Sequence, residues 1–176
     1  IRHVPHAFWK LFSERIRAKH PGLFMFGESF DYDANNIAKF TQADGGAMSV
    51  LDFPLQKQLM AAFQQPGTDF AALEPALYLT GGPYRNPYEL MTFYDNHDMA
   101  RFSGRDEAFI DVHNWLFTAR GIPVVYYGSE IGFMRGRPEH AGNRNYFGAE
   151  RIAHAPSSPI FRQLQRIAKV RASRDE

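Results

Sequence analysis

The chain has 176 residues, which is enough for one domain with a substantial hydrophobic core. Its 20 lysine and arginine residues nearly balance 19 acidic residues, and the net charge of +1 argues against a nucleic-acid partner. There is no cysteine, which excludes disulfide bonds and thiolate-bound zinc, and no apolar run approaches the roughly 20 residues of a membrane span, so we expect no membrane partner.

Predicted helices and strands alternate along the chain. Pro5 suits a first helical turn, apolar residues then recur at helical spacing, and Pro21-Gly22 ends this helix. The other helices show the same periodicity, whereas the strands are short, continuous apolar runs such as "LFMF" and "IPVVYYG". The predicted helices cover residues 5–22, 33–42, 54–65, 69–82, 104–121 and 158–172, and the predicted strands cover residues 23–26, 47–53, 89–94 and 122–128.

This alternation predicts an α/β domain whose parallel strands are joined by crossover helices. Polar residues follow each strand: Glu28, Asp52, the run Asp95 to Asp98, and Ser129-Glu130. In parallel α/β proteins the chemistry lies at this carboxyl edge, although Asp52, directly before Phe53-Pro54, is predicted to begin a helix instead. Because neither a P-loop nor a G-x-G-x-x-G motif is present, we favour a barrel, or part of one.

Four segments in a fixed order carry a family resemblance: "FGESF" around Glu28, "MSVLDF", "FYDNHDMARF" around Asp98, and "GIPVVYYGSE". Together they resemble the α-amylase superfamily of retaining α-glucan enzymes. The long loop ending in "GNR" is similar to that of bacterial amylases and cyclodextrin glucanotransferases. The resemblance covers almost the whole chain, and it implies the C-terminal half of a (β/α)₈ TIM barrel, with strands five to eight over residues 1–176.

The start of the chain also bears on its completeness. It begins with Ile1 rather than with an initiator methionine, so we expect it to be part of a longer protein. The opening "IRHV" resembles the end of a family motif whose nucleophilic aspartate would stand upstream of Ile1. The resemblance therefore implies that the N-terminal half of the barrel is a separate or separately numbered segment. We favour a secreted or periplasmic location over a cytoplasmic one, although the lack of cysteine does not decide the compartment.

The resemblance gives roles to two carboxyl groups. Retaining glycosidases use a general acid/base and a nucleophile about 5 Å apart. Glu28 is implied as the acid/base, and its position after the apolar run 23–26 and a glycine favours a protonated carboxyl; the alternative is an ordinary turn glutamate. Asp98 is implied as the stabiliser of the oxocarbenium-like state, and His97 as a hydrogen-bond donor to the same sugar.

The flanking polar residues have a simpler interpretation. Asp95 and Asn96 are predicted to shape the turn through bonds from their side chains to the backbone. Two alternatives exist for the whole run: a solvated Asx-rich turn, or a metal site built from Asp95, His97 and Asp98.

Further residues match substrate-binding positions of the family. Arg2 and His3 match contacts on the leaving-group side, and the His3 backbone carbonyl is implied as one ligand of a structural calcium ion whose other oxygen ligands lie upstream. Phe30 is implied to stack on an acceptor sugar, or else to pack within its loop. Arg144 matches a donor-side sugar contact, but His140 stands where relatives often carry an aspartate.

The implied activity is hydrolysis of α-1,4-glucosidic bonds in starch-like α-glucans or malto-oligosaccharides by a retaining double displacement. Two alternatives stay open. One is a glucanotransferase of the same superfamily, either cyclodextrin-forming or oligosaccharide-transferring, which would share every residue named above. The other is a carbohydrate-binding segment that is inactive on its own.

Overall fold

A computed structural model of the chain describes residues 1–65, 67 and 69–173. Its elements follow the predicted alternation of strands and helices. The helices are α1 (His6–Lys19), α2 (Ala34–Ala38), α3 (Phe53–Gln64), α4 (Glu74–Leu77), α5 (Asp106–Thr118), α6 (Ala149–His154) and α7 (Pro159–Ala172), and the strands are β1 (Phe26–Gly27), β2 (Ser49–Val50), β3 (Met91–Thr92) and β4 (Ile122–Pro123).

The four strands are parallel and lie in chain order. β1 pairs with β2 with Phe26 opposite Ser49, and β3 pairs with β4 with Thr92 opposite Pro123. A single bridge between Leu51 and Met91 connects the two pairs. The predicted parallel arrangement is therefore confirmed, but regular pairing covers only two residues of each strand, because the chain leaves the ladder soon after each strand to form the loops and helices that follow.

Some helix boundaries differ from the prediction. The segment predicted as one helix over residues 69–82 is a 3₁₀ turn, Phe70–Leu73, followed by the short α4, which ends where Tyr78 adopts a left-handed conformation with φ of 50°. α6 lies in what was predicted to be a loop. The predicted stop of the third helix at Pro66 lies outside the described residues.

The start of α3 is organised around Asp52, as predicted. The Asp52 carboxylate accepts a hydrogen bond from the Leu55 backbone N–H at 3.2 Å, which caps the helix. Its other oxygen lies 2.6 Å from Arg120 Nη1, and the two side chains are 0% and 1% exposed. Arg120 also donates to the carbonyls of Leu77 and Ala76. Asp52 therefore stabilises the packing between helices and lies away from solvent.

The core has two parts. One part lies between α3, α5 and α7, and it buries the apolar face of α5 formed by Phe109, Val112 and Leu116. The other part joins α2 to Val50 of β2 and to Leu90, the residue before β3. The largest side chains of the first part are Phe63, Tyr94, Phe102 and Phe109, and those of the second are Ile37, Phe40, Tyr84 and Leu90. Within the described part of the chain, no helix is long and apolar enough to cross a membrane.

The side of the sheet next to β1 is not covered. Phe24 and Phe26 are 48% and 54% exposed, and Phe8 and Phe12 of α1 are exposed as well. The strand predicted over "LFMF" is confirmed only at Phe26, where β1 begins, and among the described residues no strand pairs with the outer edge of β1. An apolar edge of this kind is what a segment of a larger parallel sheet would leave open.

Candidate active site

The parallel strands bring the predicted site residues to one edge of the sheet. Glu28 is the first residue after β1, and His97 and Asp98 stand in the loop after β3. Because both strands run in the same direction and β2 lies between them, these loops leave the sheet on the same side. The topology thus gathers residues that are 70 positions apart in the sequence.

Glu28 has a carboxyl group that the protein leaves partly without a partner. The residue is half-buried, and its Oε1 atom is buried without a hydrogen-bond partner among the described residues. Gly27 brings the chain close to Ile1, since a Cβ at Gly27 would lie 2.7 Å from the Ile1 side chain, and the Ile1 amine donates to the Glu28 carbonyl at 2.6 Å. A buried oxygen without a partner is available for a bond to a ligand.

The run from Asp95 to Asp98 divides into a buried and an outward-facing half. Asp95 and Asn96 are 3% and 9% exposed, whereas the side chains of His97 and Asp98 are 50% and 34% exposed. The Asn96 Oδ1 atom accepts a hydrogen bond from the Asp98 backbone N–H at 2.8 Å, which confirms the predicted turn-shaping role of Asn96. The buried half therefore supports the turn that presents the other half.

Asp95 is the buried carboxylate beneath this turn. It accepts hydrogen bonds from the Ser129 hydroxyl at 2.9 Å and from the Phe102 backbone N–H at 3.3 Å. Burial raises the pKa of Asp95 to about 6, and the bonds from Ser129 and Phe102 limit the rise. The predicted bond to the backbone is confirmed, and the bond to Ser129 ties the loop after β3 to the loop after β4.

Asp98 is held by two cationic or polar side chains, one on each oxygen. Arg144 Nη2 donates to Oδ1 at 2.6 Å, and His97 Nε2 lies 3.2 Å from Oδ2. Because these side chains are partly exposed, the Arg144 pair contributes at most about 1 kcal/mol to stability. The main effect of these contacts is on geometry. They hold both carboxylate oxygens of Asp98 in fixed directions at the edge of the sheet.

The remaining predicted residues lie in the N-terminal segment before α1 and in the loop after β1. The Arg2 guanidinium donates to the Phe30 carbonyl and lies 3.9 Å from the Asp31 carboxylate. The ring of Phe30 packs on the buried Phe53 with centroids 4.3 Å apart, so one face of the ring is used for packing. His3 is exposed next to Arg2. Arg2, from the N-terminal segment, therefore contacts the loop after β1 that carries Glu28 and Phe30. The side-chain contacts of Asp98 are instead with Arg144 and His97.

The metal alternative for the polar run is wrong within the described residues. They contain no group of three or more histidine, cysteine or acidic side chains placed to hold a metal ion, and Asp95 points into the protein while His97 and Asp98 point outward.

Sequence reasoning missed two buried residues that support the site, Arg101 and Asn143. They are 2% and 0% exposed. The Asn143 Nδ2 atom donates to the His97 carbonyl, and Arg101 Nη1 donates to the Tyr127 carbonyl at 2.8 Å. Each belongs to a quoted segment, "DMARF" and "GNR", but arginine and asparagine are mostly exposed in proteins, so residue type gave no signal of their burial.

Comparisons with known proteins agree on one family. The family model of the alpha-amylase catalytic domain matches residues 3–173. A cyclomaltodextrin glucanotransferase of Bacillus licheniformis is 29% identical over 178 residues, covering 98% of this chain and 24% of that protein. An alpha-amylase of Niallia circulans is 31% identical over 180 residues, covering 98% of this chain and 32% of that protein. The chain thus spans a quarter to a third of the length of these relatives.

Solved structures give the same result. The alpha-amylase of Geobacillus thermoleovorans, crystallised with acarbose, superposes with a TM-score of 0.74 at 25% identity, covering 94% of this chain and 39% of that one. The gamma-cyclodextrin glucanotransferase of Bacillus clarkii superposes with a TM-score of 0.78 at 25% identity, covering 96% of this chain and 25% of that one. With its parallel β/α units and its match over residues 3–173, the chain belongs to the alpha-amylase catalytic-domain family, whose fold is a TIM barrel.

Proposed function

We propose that this chain is part of an enzyme that hydrolyses α-1,4-glucosidic bonds in starch-like glucans by a retaining double displacement. One observation carries the proposal: a glutamate with an unpaired buried carboxylate oxygen, Glu28, and an oriented carboxylate, Asp98, follow parallel strands at the same edge of the sheet. Names of the relatives support both hydrolysis and transfer, because alpha-amylases and cyclomaltodextrin glucanotransferases are among them.

In the proposed reaction Glu28 protonates the leaving glycosidic oxygen and then takes the proton from the incoming water. Asp98 stabilises the positive charge that develops on the sugar ring, and it can do so without rearrangement because Arg144 and His97 already fix its two oxygens. Arg2, His3, His97 and Arg144 contact sugar hydroxyls in this proposal. Phe30 offers an acceptor sugar only the ring face that Phe53 leaves free.

The mechanism requires a second carboxylate about 5 Å from Glu28 as nucleophile. We propose that it stands upstream of Ile1, in a segment that also supplies the N-terminal half of the barrel, so that residues 1–176 hold strands five to eight. The exposed aromatic rings beside β1 support this arrangement, since a further strand would cover them. A structural calcium ion on the His3 carbonyl would take its other oxygen ligands from that segment.

The direct test is Glu28→Gln in the complete enzyme. The amide keeps the shape of the side chain but cannot transfer the proton, so we expect kcat on starch to fall at least about 100-fold while oligosaccharide binding is largely kept. Glu139→Gln is the matched control, because Glu139 is an exposed glutamate in the long loop. Turnover near that of the wild type in the Glu28→Gln variant would disprove the acid/base assignment.

Product analysis distinguishes the glucanotransferase alternative. A hydrolase releases one new reducing end per bond cleaved, whereas a transferase yields cyclic or elongated products with few new reducing ends. The alternative of an inactive carbohydrate-binding segment predicts neither type of product from the complete protein.

Residues 1–176 should not form an active enzyme without the rest of the barrel. Residues 1–176 expressed alone should hydrolyse no α-glucan and should aggregate or associate, because the nucleophile is absent and Phe24 and Phe26 remain exposed. Size-exclusion chromatography and a reducing-sugar assay test this. An active, monodisperse monomer would refute both the half-barrel arrangement and the upstream nucleophile.

A further inference from the structure

Arg101 is a buried charged residue for which the proposed chemistry gives no role. It is 2% exposed and lies three residues beyond Asp98. Its guanidinium lies over the rings of Tyr126 and Tyr127, 4.4 and 4.9 Å from their centroids, and over Phe133 at 5.8 Å. Burying a guanidinium is costly unless its hydrogen bonds are made and its surroundings are electron-rich, so this arrangement needs an explanation.

The hydrogen bonds of Arg101 join the loop after β3 to the long loop between β4 and α6. Its Nε atom donates to the Gly142 carbonyl at 2.9 Å, and Nη1 donates to the Tyr127 carbonyl at 2.8 Å. Its backbone N–H donates to the Arg137 carbonyl at 3.0 Å. The residue therefore connects the loop after β3, on which it stands, with both the start of the long loop, at Tyr127, and its later part, at Arg137 and Gly142.

The long loop reaches the candidate active site immediately after this anchor. The Asn143 side chain donates to the His97 carbonyl, and the Arg144 guanidinium donates to Asp98 at 2.6 Å. The two residues that touch the site thus directly follow Gly142, the residue that Arg101 holds. A displacement of Gly142 would be transmitted through one or two peptide units to the group that orients Asp98.

Two further hydrogen bonds fix the same loop. The Tyr126 hydroxyl donates to the Asn143 carbonyl at 2.5 Å, and the Tyr127 hydroxyl donates to the Asn145 carbonyl at 2.7 Å. Both rings lie against the Arg101 guanidinium. The guanidinium therefore positions the loop directly, through Gly142, and indirectly, through the two tyrosines.

We propose that Arg101 is a positioning residue that orients Asp98 by holding the loop that carries Arg144. The inference rests on the proposed function, in which Asp98 acts on the sugar. Arginine is suited to this task because its planar group donates in several directions while stacking on rings, whereas lysine presents a single ammonium group. Arg101→Lys would keep the charge and lose the bonds to Gly142 and Tyr127 at the same time.

A double-mutant cycle in the complete enzyme tests the proposal. Arg101→Lys should lower kcat/KM by about tenfold, mainly through kcat, which is within the range for a misplaced catalytic group. In an Arg144→Gln background, Arg101→Lys should lower kcat/KM less than about twofold, because the hydrogen bond from Arg144 to Asp98 is already lost. Equal losses in both backgrounds would show that Arg101 acts only on general stability and would overturn the proposal.

Arg135→Lys is the matched control. Arg135 belongs to the same long loop, its guanidinium lies 5.0 Å from the Phe109 ring centroid, and it pairs with Asp106, but none of these contacts leads to Asp98. Its kcat/KM should stay within about twofold of the wild type, since surface ion pairs contribute little. A tenfold loss in this variant would mean that any arginine of the loop has the effect, which would also overturn the proposal.

A measurement without activity separates this inference from the proposed function. Amide hydrogen exchange should increase at residues 140–147 in the Arg101→Lys variant and stay unchanged in the Arg135→Lys variant. If Arg101→Lys does not fold, Tyr126→Phe, which removes the hydroxyl bond to Asn143 and keeps the ring, should show the same coupling to Arg144. A wild-type protein inactive on α-glucans would refute the proposed function, whereas unchanged exchange at residues 140–147 would refute the positioning role of Arg101.

Discussion

Two buried ionisable residues beneath the candidate active site should give opposite pH dependences of stability. Asp95 and His113 are 3% and 0% exposed, and Tyr94, which precedes Asp95, shares a 2.7 Å hydrogen bond with His113 Nε2. Burial raises the pKa of Asp95 from 3.8 to about 6. Burial lowers the pKa of His113 from 6.5 to about 4. In both cases the buried environment disfavours the charged form.

The two shifts act with opposite sign over the same pH range. Between pH 4 and 6 the folded protein keeps the Asp95 proton that the unfolded chain has lost, so the Asp95 contribution to stability falls as the pH rises. Between pH 4 and 6.5, His113 is protonated in the unfolded chain but not in the folded protein. The His113 contribution to stability therefore rises with pH. At about 1.4 kcal/mol per pH unit, each contribution changes by about 3 kcal/mol, and in the wild type they nearly cancel.

Single substitutions should separate the two contributions. We expect the free energy of unfolding of Asp95→Asn, relative to the wild type, to rise by about 3 kcal/mol between pH 4 and 6.5. The free energy of unfolding of His113→Gln, relative to the wild type, should fall by about the same amount over this range. The glutamine amide can still form a hydrogen bond with Tyr94. Urea unfolding of the complete enzyme at several pH values measures both differences, with Asp111→Asn on the exposed side of α5 as the control.

The two differences in the free energy of unfolding should change with pH in opposite directions. If both differences are flat between pH 4 and 6.5, neither residue titrates differently in the folded and unfolded states, and the argument from burial is wrong. If one difference is flat, that residue has the same charge in the folded and unfolded states over this range, so a partner compensates for its burial.

Three other substitutions test other parts of the structure. Asp52→Ala should lower the free energy of unfolding by about 3–5 kcal/mol, because it leaves the buried Arg120 without its carboxylate; chemical denaturation measures this, and a loss below about 1 kcal/mol would contradict it. Asp98→Asn should lower kcat far more than it weakens substrate binding, and a change in KM alone would reassign Asp98 to binding. Gly121→Ala should reduce stability by at least about 1 kcal/mol in thermal unfolding, because Gly121 has φ of +95° and a Cβ would lie 2.5 Å from the Thr92 side chain; an unchanged Tm would refute this.

Much of the fold could be predicted because its signals are local. The helical periodicity of α1, α5 and α7 and the apolar runs at the four strands each depend on residues within a few positions of one another. The cap at Asp52 and the turn at Asn96 were predicted for the same reason, since each side chain bonds to the backbone two or three residues away. α4 is shorter than the helix predicted there because Tyr78 adopts a left-handed conformation, and α6 was predicted to be part of a loop.

The sequence by itself determined the parallel β/α order, the apolar face of α5, the turn at Asn96 and the position of Glu28 directly after a strand. The tertiary structure alone decided that Arg144 reaches Asp98, 46 positions away, that Arg120 neutralises Asp52 across 68 positions, and that Arg101 is buried between aromatic rings. These contacts depend on how loops from different strands pack together. No periodicity or neighbouring residue encodes them, because their free energy arises only when the sheet brings those loops to one edge.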